Sequence, residues 1–115
     1  MQQISNPKPD IRIFMSGLID ISSRLYKVLG MDQHSGITFH VDDENNLYIR
    51  KAESEEEGLK PTSIHGKHHL RFHSSSTTRR ILSLPDIPKG ITTARFRVGI
   101  SDDGIHFPII TRRIY

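Results

Sequence analysis

The chain has no cysteine, which excludes disulfides, thiolate nucleophiles and Cys-ligated zinc. It has no tryptophan, and its aromatics are five Phe and three Tyr. Apolar residues make up 35% of the 115 positions, fewer than the ~45–50% usual in globular chains. So little apolar material suits a small β-rich domain, or a core shared between two units, better than a large buried enzyme pocket. No apolar run reaches the roughly 18 residues of a membrane span. The opening MQQISNPKPD is polar, carries two prolines and lacks the apolar stretch of a signal peptide. Residues 1–9 therefore read as a disordered arm. The length fits one domain, and the absence of Cys fits a reducing cytoplasm.

The formal net charge is +3, but it is unevenly placed. Residues 1–52 hold six Lys/Arg and six Asp/Glu; residues 53–65 hold four Glu and one Lys. Residues 66–115 hold nine Lys/Arg against three Asp, a net of +6. A basic half is what a polyanion-binding surface requires; a solvated, mixed-sign surface is the plainer reading.

Periodicity divides the chain in two. Ile11 to Gly17 alternates as a strand, and Leu18–Ile21 gives a short second one. Ser22 and Ser23 are N-cap residues for a helix over Ser23–Leu29, with Leu25, Val28 and Leu29 on one face and Gly30 at its C-cap. Ile37–Val41 and Leu47–Arg50 alternate around the polar loop Asp42–Asn46, which predicts a hairpin. Residues 10–52 thus form a first half-unit. Residues 53–63, with clustered Glu, Gly58 and Pro61, read as an acidic, exposed linker. The pattern then restarts over 64–115: a strand from Ile64 to His73, Ser74–Ser76 as N-caps, a helix over Thr77–Leu84 stopped by Pro85, and a hairpin of Ile91–Ile100 and Ile105–Tyr115 around Ser101–Gly104. Both halves read strand–helix–hairpin, which points to a diverged internal repeat.

Over Ile11–Lys51 the sequence resembles the AbrB/MazE/MraZ-type swapped-hairpin DNA-binding domains. The resemblance is carried by Gly17, Ile19-Asp20-Ile21, the helix ending Leu29-Gly30, and Ile37-Thr-Phe-His-Val-Asp-Asp-Glu44 followed by Leu47-Tyr-Ile-Arg-Lys51. Leu18, Ser22 and His34 stand where that family commonly has Arg, Pro and a turn Gly, and Tyr26 replaces one basic helix position. Registering Leu82 on Leu29 puts Arg79 and Arg80 on Tyr26 and Lys27. The resemblance implies a mostly β fold with two short helices: a small β-barrel of two halves, each lending a hairpin to the other, an intramolecular version of that family's dimer.

The most unusual segment is Ile64-His-Gly-Lys-His-His-Leu-Arg-Phe-His73. As one strand it would put His65, Lys67, His69, Arg71 and His73 on one face, with Leu70 and Phe72 on the other. That face is either a phosphate-contacting ribbon or a His-rich solvent face. His65, His69 and His73 would stand about 13 Å apart in succession, too far for one metal ion. Arg79-Arg80 on the second helix and Arg95 and Arg97 on one strand face add to the basic set, with Arg112-Arg113 beyond. The paired acids Asp42-Asp43 and Asp102-Asp103 sit in hairpin loops as turn formers. No phosphate-binding Gly loop or nucleophile elbow occurs, so no enzyme, cofactor or metal is expected. The expected function is an AbrB-like DNA-binding transcriptional regulator, monomer or homodimer, contacting phosphates through Lys67, Arg71, Arg79, Arg80, Arg95 and Arg97. A protein-interaction or assembly module of a mobile element, without nucleic acid, is the alternative.

Overall fold

The computed structural model describes residues 9–32, 34–54, 58–65 and 69–111. The arm over 1–8, Lys67 and Arg112-Arg113 lie outside the described residues. Eight strands and two helices follow in the order β1 (Ile11–Phe14), β2 (Leu18–Ile21), α1 (Ser23–Val28), β3 (Ile37–Val41), β4 (Leu47–Lys51), β5 (Pro61–His65), β6 (His69–His73), α2 (Ser75–Leu82), β7 (Thr93–Val98) and β8 (Phe107–Ile110). No helix among the described residues is long and apolar enough to cross a membrane.

The local signals act as their chemistry dictates. The Ser22 hydroxyl accepts the Leu25 N–H at 3.2 Å and opens α1. Leu25 and Leu29, one turn apart, are both buried. Gly30 leaves the helix at φ +69°, where a side chain would be strained. The Ser74 hydroxyl accepts the Thr77 N–H at 3.3 Å, so α2 starts two residues earlier than the Thr77 expected from sequence. The first of the three serines is the cap, and the other two enter the helix.

The strand expected over Ile64–His73 is instead a hairpin, β5–β6, with His65 and His69 as partners across it. Pro61–Ser63, placed in the linker by composition, belongs to β5. Pro61 is tolerated because β5 is the last strand of the sheet and proline there removes no interior ladder bond. The five-residue polar face along one strand therefore does not exist. Spacing along a strand also no longer separates His65 from His69; residues opposite each other in an antiparallel pair lie ~4.5–5.5 Å apart at Cα.

All eight strands join one antiparallel sheet in the order β3-β4-β8-β7-β1-β2-β6-β5. Each half of the chain runs hairpin–helix–hairpin, and the halves interleave. The β1–β2 hairpin lies between β7 and β6, both from the second half; the β8–β7 hairpin lies between β4 and β1, both from the first. Exchanging the halves (β1 with β5, β2 with β6, β3 with β7, β4 with β8) reproduces each group of four strands read in the opposite direction. The sheet curls into a half-barrel. At one edge, Ile37 of β3 is bridged to Leu59, two residues before β5, through backbone hydrogen bonds of 2.9 and 2.8 Å. The single core takes Ile11, Ile13, Ile19, Ile21, Leu25, Ile37, Leu47 and Ile49 from the first half and Leu70, Phe72, Ile81 and Phe96 from the second. The low apolar content thus serves one core, filled from both halves.

Candidate functional site

Ile11 and Ile13 point into the core, so Arg12 between them points out and is exposed. The same alternation turns Arg95 and Arg97 outward between buried Ala94, Phe96 and Val98, Asp20 outward between Ile19 and Ile21, and Arg71 outward between Leu70 and Phe72. Strand pairing then aligns them. Arg95 is the partner of Arg12, Arg12 of Asp20, and Asp20 of Arg71. At ~4.8 Å per strand, this gives an Arg–Arg–Asp–Arg row about 14 Å long across β7, β1, β2 and β6.

Next to the row is a cleft of about 610 Å³ lined by Asp10, Arg12, Asp20, Ser22, Arg24, Arg71 and Arg97, among others. Its two acids do different things. Asp10 is 2% exposed and accepts from Arg24 Nη1 at 2.9 Å, the Ser22 hydroxyl at 3.3 Å and the Val98 N–H at 2.8 Å. Arg97 Nε stands 3.6 Å from the same carboxylate. Asp20 accepts from Arg71 Nε at 2.9 Å. Among the described residues, Arg12 and Arg95 make no ion pair.

Of the residues expected from sequence, Arg71, Arg95 and Arg97 come together here. Arg79 and Arg80 do not join them. Because β2 and β6 are antiparallel, α1 and α2 leave the sheet at opposite ends of that pair. Arg24 borders the basic cleft, whereas Arg80 borders a separate, largely apolar cleft with Ile37, Phe39, Val41, Leu47 and Ile81. Sequence reasoning named neither Arg12 nor Arg24 as a contact; both stand in a half that is neutral in sum. The Ile-Arg-Ile alternation gave the face of Arg12; its neighbour Arg95 is 83 positions away and became visible only with the pairing.

A second polar cluster lies over the outer face of β3, β4 and β8. The His106 ring meets His40 edge-on at 5.6 Å and Tyr48 at 6.5 Å. Its Nδ1 lies 2.8 Å from the Asp103 carboxylate. That ring contact, the backbone N–H groups of His106 and Ile105 and the Ser101 hydroxyl hold Asp103 well below the usual carboxylate range. Asp42 is lowered mainly by the Asn46 backbone N–H and side-chain amide. Both acids serve their own turns. No group of three or more potential metal ligands occurs among the described residues.

These depressed carboxylates set a pH dependence. A carboxyl whose pKa falls on folding contributes stability above its unfolded pKa, ~3.9 for Asp, and loses it as pH falls further. The urea midpoint of Asp103→Asn should therefore lie below that of the parent chain near neutrality, and the gap should begin to close only below about pH 4, narrowing further as the pH falls toward the folded pKa. An offset that stays constant across this range would show that Asp103 acts through shape rather than charge.

Comparison with protein-family models, with curated proteins and with solved structures gives no match.

Proposed function

We propose that the chain binds the phosphate backbone of duplex DNA, as a small cytoplasmic regulator would, through the outer face of β7, β1, β2 and β6. The observation that carries this reading is the Arg95–Arg12–Asp20–Arg71 row, flanked by Arg97 and Arg24. Guanidinium groups fit phosphate oxygens through paired N–H donors and stay charged at any physiological pH. Of the Phe residues on these four strands, Phe72 and Phe96 are buried and Phe14 faces out. The resemblance over Ile11–Lys51 and the interleaved hairpins support the same reading. The basic face draws on both halves: Arg12 and Arg24 come from the first, Arg71, Arg95 and Arg97 from the second.

Each phosphate neutralised contributes about −0.9 to the slope of log affinity against log salt. Replacing Arg12 and Arg95 by Ala should flatten that slope by about two and leave the fold intact, since both are exposed. Arg79→Ala with Arg80→Ala should change it far less. Equal slopes for the parent chain and the Arg12/Arg95 variant, or no binding at low salt, would favour the protein-interaction alternative. The mixed-sign outer surface, with Asp42, Asp102 and Asp103 around His40 and His106, is the observation on that alternative's side.

A further inference from the structure

Asp20 is the one acid in the basic row, and its position is unusual for what it contributes. It faces out, so it fills no core. It stands directly between Arg12 on β1 and Arg71 on β6, about one strand spacing from each. Its carboxylate accepts from Arg71 Nε at 2.9 Å, with side-chain exposures of 13% for Asp20 and 39% for Arg71. Asp10, by contrast, is tied to α1 and to the β7 backbone and has a structural task that Asp20 lacks.

We propose that Asp20 is a built-in brake on this face: it occupies Arg71 and lowers the affinity for single phosphates, so that only an extended polyanion binds well. This rests on the DNA reading above. A phosphate approaching Arg71 meets a carboxylate already in place, covalently held and therefore at high effective concentration. An isolated phosphate engages one or two guanidiniums and does not displace it. A nucleic-acid backbone engages Arg12 and Arg95 together and gains enough from them to exchange Asp20 for a phosphate at Arg71. Asp20 then sets selectivity for length of polyanion, while the arginines set affinity. Substituting Asp20 by Asn keeps an oxygen to accept from Arg71 and removes the charge.

The test is a salt titration of a short duplex of arbitrary sequence against the full chain, with Asp20→Asn, Arg71→Ala and the double variant. Inorganic phosphate is the second probe. Asp20→Asn should bind the duplex about tenfold more tightly, the equivalent of one charge-assisted hydrogen bond, and steepen the salt slope by about one. It should also gain the larger factor toward inorganic phosphate, since the brake acts hardest there. On the Arg71→Ala background most of the gain should vanish. Thermal unfolding of each variant checks folding, and Asp20→Ser replaces Asp20→Asn if the latter unfolds. An unchanged or weaker affinity for Asp20→Asn, or a gain that survives intact without Arg71, overturns the brake. If the Arg12/Arg95 variant still loses affinity in that case, the DNA face stands without it. Absence of duplex binding by the parent chain and by Asp20→Asn overturns both.

Discussion

Residues 1–58 expressed alone will not fold as a monomer. In the full chain β1 is held on one side by β7 and β2 by β6, while β4 is held by β8. Without the second half, three of the four strands of the first half each lose one neighbour. The side chains that lose cover include Ile11, Ile13, Ile19, Ile21, Leu47 and Ile49, all at most 1% exposed in the intact molecule. Each contributes roughly 1.5–3 kcal/mol by burial, and the six together are of the same size as the whole ~5–15 kcal/mol net stability of a typical domain. Two isolated hairpins and a six-residue helix have no independent stability in water. The fragment should show no cooperative urea transition at low concentration, and mixing it with residues 59–115 should restore one. Self-association of the fragment is the other permitted outcome, since a second copy offers a related surface. A monomeric fragment 1–58 with a sharp transition would show that the halves are separate folding units.

Among polar residues, a large effect of one substitution should come at Asp10. Its carboxylate joins three elements at the edge of the core: Val98 of β7 through the backbone N–H, Ser22 before α1, and Arg24 within α1. Asp10→Ala leaves the Val98 N–H without its acceptor in a buried place, which costs ~1–3 kcal/mol by itself. The ion pairs add less than a fully buried pair would, because Arg24 is 50% exposed and Arg97 30% and both can return to water. The expected total is about 2–3 kcal/mol, seen as a lower urea midpoint at unchanged slope. Asp10→Asn keeps one acceptor and should cost about half as much. A loss below ~0.5 kcal/mol for Asp10→Ala, the ordinary range of surface changes, would mean that water replaces the carboxylate at no cost.

Much of the local structure follows from short stretches of sequence. The bounds of β2 and β3 follow from alternation. The start of α1 follows from Ser22 and its exit from Gly30, because a cap is a contact between residues three or four apart. Asp42 and Asp103 bond within or next to their own turns for the same reason. The repeat of helix and hairpin, and with it a mostly β fold shared by two halves, was legible as a change of period that occurs twice. The β5–β6 hairpin was not. Gly66 and the His-Lys run continue a plausible alternation, and nothing local marks the reversal, which is held by β2 on the far side of β6.

The basic row shows where sequence alone stops. Alternation gave each arginine its outward face, one strand at a time. Which faces lie side by side depends on pairing between residues up to 83 positions apart, and that pairing is chosen by the shared burial of Ile11, Ile13, Phe72 and Phe96 in the core. The sum of charge over a half-unit does not say which charges stand side by side, for the same reason. It points to neither Arg24 nor Arg12, which stand in a half that is neutral overall, and it groups Arg79 and Arg80 with residues from which the antiparallel β2–β6 pair separates them. Outside β5 and β6, identity and periodicity determined most of the elements, the caps and the outward face of each arginine in the row. The tertiary structure decided which charges meet, because cross-strand neighbours are set by how two distant apolar faces close over one core.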